Sequence, residues 1–301
     1  MFIEFVQQII NGLTLGSIYA LFALGYTMVY GVLLMINFAH SEIFMVGAYI
    51  GFFVLAFLPT ILPPVIAIYL VVAILIALVG TGVLAVGIER FAYRPLRHAP
   101  RLAPLISAIG VSIFLQNFVM LTAGAESRPY PETVAVSQME FAGIRINSLQ
   151  ILIFGLSIAL MVILHLFVTR TKTGKAMRAV AQNHIVSQLM GINTNTIIAI
   201  TFLIGGGLGG VAGVLNGLYY GSIKYNMGFL PGIKAFTAAV LGGIGNIKGA
   251  MYGGFILGVL ESLSAGYISS EYKDVIAFVV LILVLLFRPT GLFGEAVTEK
   301  I

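Results

Sequence analysis

What most constrains this chain is the length of its stretches without a charged side chain. Phe5–Ala39, Ile43–Ile88, Leu102–Ala125, Ile146–Leu164 and Ile185–Ile223 contain no Asp, Glu, Lys or Arg. A membrane-spanning helix needs about 20 mostly apolar residues. With 9% charged and 59% hydrophobic residues overall, five such runs exceed what the interior of a soluble domain can hold. The runs are continuous rather than alternating, which excludes a transmembrane β-barrel. The chain reads as an all-α, polytopic transmembrane helical bundle.

Composition removes several chemistries. There is no cysteine, hence no disulfide, thiolate metal site or haem attachment. The four histidines, His40, His98, His165 and His184, show no HExxH spacing, so no metal site is expected. The opening MFIEFVQQ lacks the basic region of a cleavable signal peptide. The net charge of +5 is not a nucleic-acid footprint, because the basic residues cluster in two short loops.

Those loops set the expected orientation. Glu89–Arg101 carries Arg90, Arg94, Arg97 and Arg101, and Arg170–His184 carries Arg170, Lys172, Lys175 and Arg178. Both belong on the cytoplasmic side by the positive-inside rule. Spans near 102–123 and 147–168 lie between them, joined by an external loop 124–146 of mixed charge. Pro59, Pro63 and Pro64 divide the run 43–88 into spans near 42–58 and 64–88, because proline ends helices. Spans near 8–34, 195–219, 231–246, 249–268 and 275–288 complete a count of eight or nine helices. The N-terminus falls outside and the C-terminus in the cytoplasm.

The order of segments predicts a single transmembrane domain, 1–301, built as an inverted repeat of approximately 1–123 and 195–290. Each half offers a long glycine-containing helix, a short segment and a further helix. In transporters built this way, sites lie where discontinuous helices meet at mid-membrane. The short segments start near Asn37–Ser41, where Ser41 is a candidate cap, and near Gly228–Pro231, with Gly242, Gly243 and Gly245 at the second one's end. Each carries one ionisable residue near its start, Glu42 and Lys234. Two readings stand: interfacial snorkelling, or a place in a translocation path.

Gly205–Gly210 formally matches GxGxxG but lies inside an apolar helix, where a dinucleotide site has no preceding strand. The four-residue recurrence of Gly205, Gly209, Gly213, Gly217 and Gly221 predicts close helix packing instead. No GxxxxGK[ST] loop exists, so any ATP hydrolysis belongs to another subunit. Within the cytoplasmic segment of approximately 170–194, residues 174–192 predict one surface helix. Its apolar face carries Met177, Val180, Ile185 and Leu189. Such a face lies on the membrane or docks into a partner's groove.

Six strings resemble one known family: residues 12–49, IERFAYRPLR (88–97), LISAIGVSIFLQN (105–117), MGINT (190–194), residues 228–262 and residues 271–294. Together they span most of the chain. They look like the permeases of hydrophobic-amino-acid ABC importers, and most closely the smaller permease of the branched-chain amino acid importer. The resemblance implies a bacterial inner-membrane protein that is not an enzyme and holds no cofactor. It implies pairing with a second homologous permease, two ATP-binding cassette subunits that use ATP, and an extracytoplasmic binding protein delivering leucine, isoleucine or valine. It further implies an ATPase-coupling loop around Gly174, Ala176, Met177, Arg178, Ala179, Val180, Ile185, Leu189 and Gly191. Two departures stand out: Ser41 where the family has glycine, and a Gln182–His184 stretch less acidic than expected. Under this reading Phe38, Glu42, Phe44, Met45, Phe229, Lys234, Phe236 and Thr237 are the candidates for the path, with ordinary helix packing the alternative for the aromatics. Rival functions are an ABC permease for urea or short amides and a lone secondary carrier. The carrier lacks suitable carboxylates beyond Glu42 and Glu261.

Overall fold

A computed structural model describes residues 2–60, 66–97, 99–100, 102–131, 137–141 and 143–294. Helices α1 (Phe2–Leu33), α2 (His40–Phe57), α3 (Ile66–Ile88), α4 (Leu102–Ala123), α5 (Ser148–Arg170), α6 (Lys172–Gln182), α7 (His184–Leu189), α8 (Thr194–Tyr220), α9 (Phe229–Gly242), α10 (Ile247–Tyr267) and α11 (Lys273–Phe287) dominate it. Six of these, α1 to α5 and α8, are long and apolar enough to cross a membrane among the described residues. At 14 and 15 residues, α9 and α11 are shorter than a full crossing. Of the prolines expected between α2 and α3, Pro59 lies in a short 3₁₀ turn. Pro63 and Pro64 lie outside the described residues.

Two helices form the centre. Most of α1 from Gly12 to Val29 and of α8 from Gly205 to Gly217 is buried. Most of α4 and α5 is not. The glycines of α8 explain how the centre closes. A Cβ at Gly207 would come within 2.9 Å of the Leu78 carbonyl oxygen on α3, and one at Gly213 would meet the Phe44 carbonyl on α2. Helix backbones here touch directly, which lets apolar helices associate by van der Waals contact where no hydrophobic force drives them.

The helix ends follow local chemistry. Asn147 forms a capping box with Gln150 at the start of α5, and Asn193 and Asn246 cap α8 and α10. Gly221 ends α8 in the left-handed region (φ 65°). The loop 124–146, expected only as a connection, contains strands. Among the described residues β1 (Arg128–Pro129) pairs antiparallel with β4 (Ser222–Ile223), and β2 (Gln138–Phe141) with β3 (Ile144–Asn147). The side-chain amide of Gln7 extends the hairpin, donating to the Arg145 carbonyl and accepting from its N–H, both at 2.9 Å.

The single amphipathic helix expected over 174–192 is corrected to two. Asn183 adopts an extended backbone, and its side chain accepts from the N–H groups of Ile185 and Val186, starting α7 anew. This rotates the two halves apart. Met177 and Val180 face the bundle, whereas Ile185, Val186, Leu189 and Met190 are exposed. Asparagine prefers to cap rather than continue a helix.

Packing makes a testable contrast. Gly213→Val forces α2 away from α8 and is expected to destabilise the protein by about 1–3 kcal/mol or more. Gly87→Ala in α3, where nothing lies within 4 Å of the added carbon, should be neutral or stabilising. Thermal unfolding of the detergent-purified protein checks both; equal melting temperatures would refute backbone contact at Gly213.

Candidate functional site: a cavity between two helix starts

The short helices begin inside the bundle. Tyr26 lies seven positions before the end of α1, about 10 Å along its axis. Its hydroxyl is nevertheless 3.1 Å from Ser41 Oγ in the first turn of α2. Residues 34–39 therefore climb back along α1 before α2 starts. The start of α9 arrives at the same place: a Cβ at Gly228 would strike the Ser41 carbonyl, and one at Gly232 would lie 2.5 Å from Ser41 Oγ. Ser41 does not cap α2; its hydroxyl donates to the Phe38 carbonyl at 3.1 Å, and Ala39 is the cap residue.

A cavity of about 380 Å³ opens beside this meeting point. Its wall is mostly apolar, with Phe38 before α2, Ile109 and Ile113 on α4, and Phe229, Ile233 and Phe236 on α9. Tyr26, Ser41, Glu42, Ser112 and Gln116 supply the polar atoms. Glu42 is 1% exposed. One of its oxygens accepts from Ser112 Oγ at 3.1 Å. The other has no hydrogen-bond partner.

Lys234 occupies a second site. Its Nζ lies 2.6 Å from Glu261 Oε1 and 2.5 Å from Asp274 Oδ1, and it donates to Tyr19 Oη at 3.3 Å. Glu261 also accepts from Tyr19 Oη at 2.9 Å. Lys234 is 6% exposed and enclosed by helices α1, α9, α10 and α11. A buried cation with two carboxylates satisfies the requirement that intramembrane charge be paired.

A third cluster follows α3. The helix widens into a π-turn over Glu89–Tyr93, a local geometry often found at functional positions. The turn buries Glu89, which pairs with Arg97 and, at 3.4 Å, with Arg94 Nε. Arg97 Nη1 donates to Asn195 Oδ1 at the start of α8 at 2.6 Å. Burial pulls the Arg97 guanidinium below its ordinary range, and the Glu89 carboxylate opposes that shift. Tyr93 points inward and donates to Asn37 Oδ1 at 2.9 Å. Nearby, His184 Nε2 is 2.7 Å from the Val32 carbonyl, joining α7 to the end of α1.

Comparison with known proteins places this architecture. Residues 8–285 match the family model described as the permease component of the branched-chain amino acid transport system. The chain belongs to this permease family. It is 49% identical to the high-affinity branched-chain amino acid transport system permease protein BraD of Pseudomonas aeruginosa, over 99% of this chain and 98% of that one. It is 48% identical to LivH of Escherichia coli K12, over 100% and 99%. A probable branched-chain amino acid transport permease of Methanocaldococcus jannaschii is 30% identical, over 96% and 92%.

The permease distributes its eight sequence-selected path candidates unevenly. Phe38, Glu42, Phe229 and Phe236 reach the cavity. Phe44 is wholly buried and stacked on Phe22 at 4.4 Å, and Met45 is equally buried. Thr237 is buried and donates to the Ile233 carbonyl. Lys234 belongs to the ion cluster. The α4 wall was missed, although Ser112 and Gln116 form an i,i+4 polar pair on one face of a mostly apolar helix. Asp274 as a partner of Lys234 leaves no local sequence signal.

Breaking the ion cluster should be costly. Lys234→Ala strands the buried Glu261 carboxylate and frees the half-buried Asp274, and removing one member of a buried pair costs about 3–5 kcal/mol. The combined Lys234→Met, Glu261→Gln, Asp274→Asn variant should recover much of that loss. Melting temperatures in detergent read the difference; no loss in Lys234→Ala would show that the cluster does not hold α9.

Proposed function

We propose that this permease is one subunit of an ATP-driven importer of branched-chain amino acids in the bacterial inner membrane. It forms the path with a second homologous permease and couples to two ATP-binding cassette subunits. An external binding protein delivers leucine, isoleucine or valine. The observation that carries the reading is full-length similarity to high-affinity branched-chain amino acid permeases, joined to an apolar cavity of amino-acid size at the meeting of two internal helix starts.

The packing supports an inverted repeat with nine membrane segments. α1, which opens the first half, packs most extensively on α10 and also on α9. α8, which opens the second half, packs most extensively on α3 and α2. The two halves thus embrace each other through corresponding helices. The N-terminus is assigned to the outside and the basic loops to the cytoplasm.

The coupling segment has the required form. Gly174 sits where a Cβ would strike the Val168 carbonyl, so the corner between α5 and α6 closes on glycine. Ala176, Arg178 and Ala179 continue α6, while Met177 and Val180 anchor it. Gly191, in the left-handed region (φ 82°), ends α7. Ile185, Val186, Leu189 and Met190 present an apolar patch beside the basic residues of α6, a surface suited to a partner's groove. A closing ATPase pair would push this patch. The His184 contact with Val32 passes the push to α1, shifting the balance between outward- and inward-facing forms. The apolar walls accept several aliphatic side chains, since one methylene alters binding by only about 1–3 kcal/mol.

In proteoliposomes containing the assembled transporter, ATP and the cognate binding protein are expected to drive leucine uptake. Urea should not accumulate. Urea uptake without leucine uptake would assign the rival solute, and ion-driven uptake by the chain alone would overturn the ABC reading. Leu189→Asp should lower co-purification of the ATPase subunits while leaving membrane insertion intact.

A further inference from the structure

We propose that Glu42 is the counter-charge for the ammonium group of a primary aliphatic amine held in the cavity between α2, α4 and α9. The proposal rests on the import reading above and specifies how the cavity engages that solute. The carboxylate is 1% exposed, and only one oxygen is satisfied, by Ser112. The other has no partner. Buried polar atoms are nearly always hydrogen-bonded, and an exception needs a reason.

The surroundings narrow that reason. No Lys or Arg lines the cavity among the described residues. The one nearby intramembrane cation on α9, Lys234, is already shared between Glu261 and Asp274. The free oxygen is itself closed off from solvent and lies against the start of α9, where a Cβ at Gly228 would come within 3.3 Å of it. The remaining wall, including Ile109, Ile113 and Phe236, is apolar. A pocket with one carboxylate and aliphatic or aromatic walls matches a ligand with one cationic head and a hydrocarbon body. An ammonium group carries three donors and no acceptor, so it can bond the free oxygen once the carboxylate turns toward the cavity. The resulting bond is charge-assisted and stronger than a neutral one. An uncharged amide gains less, and an aliphatic acid is repelled. The site therefore discriminates for the amino end of the solute, while the aliphatic end is tolerated broadly.

The test uses the assembled transporter in detergent without binding protein, with isoamylamine and isocaproate as separate probes of the two ends of leucine. Saturation-transfer NMR should show isoamylamine contact in the wild type and a loss of about tenfold or more in Glu42→Gln, as expected for removing one charge-assisted hydrogen bond. Isocaproate should not lose contact. Glu42→Asp, which keeps the charge on a shorter side chain, should show an intermediate amine signal, and decides the matter if Glu42→Gln does not assemble. Equal amine signals in the wild type and the assembled variants would overturn the proposal. ATP-driven leucine uptake by the wild type is measured alongside. Its absence would sink the import reading, while the amine comparison still judges Glu42.

Discussion

The structure depends on bringing two helix starts together against an apolar bundle, α2 buried and α9 packed on it through Gly228 and Gly232. The first N–H groups of a helix have no partner within the helix, and in the membrane no water stands ready to satisfy them. The chain meets this demand by tight backbone turns. The N–H of His40 bonds to the Asn37 carbonyl, those of Glu42 and Ile43 to Ala39, and that of Gly232 to Gly228. Pro231 removes one donor altogether. Asn37 is in turn clasped by Tyr93, whose inward direction comes from the π-turn after α3. A basic loop at one end of the molecule thereby fixes where α2 begins, and hence where Glu42 stands.

Charge is handled differently on the two sides of this centre. Lys234, Glu261 and Asp274 neutralise one another, and Tyr19 bridges them. Their position ties α9 to α10 and α11. Glu42 has no such cation. The two ionisable residues that look symmetrical in sequence therefore do different work: one fastens helices together, the other keeps a carboxyl with one unbonded oxygen beside a cavity.

Helix positions were highly legible in the sequence, because charge exclusion and proline mark the span limits independently of tertiary contact. Leu102–Ala123 coincides with its predicted span, and helices lie within about four residues of the other predicted bounds, except that α1 begins at Phe2, six residues early. The glycine ladder of α8 was also read correctly as close packing at Gly205, Gly209, Gly213 and Gly217, but not at Gly221, which meets nothing within 4 Å and ends the helix. Asn183 was not, because an apolar period can continue across a residue whose own side chain terminates the helix. The α4 wall escaped notice because its contact with α2 joins residues far apart in the chain. Asp274 sits at the start of α11, where a carboxylate is ordinary at a helix beginning, so nothing marked it as Lys234's partner. Which aromatics reach the cavity depends on helix rotation, and the low amphipathicity of membrane helices leaves that rotation unspecified.

One asymmetry follows from how α4 is held. At its start Ser107 donates to the Ala92 carbonyl, and beyond its end the Arg128–Pro129 strand is stitched to Ser222–Ile223. Between these ties Ser112 donates to Glu42 on α2, and much of the remaining length faces outward. The chamber is thus bounded by three staves and one slat fastened at top, middle and bottom. Whatever abuts the outward face of α4 backs that slat from behind.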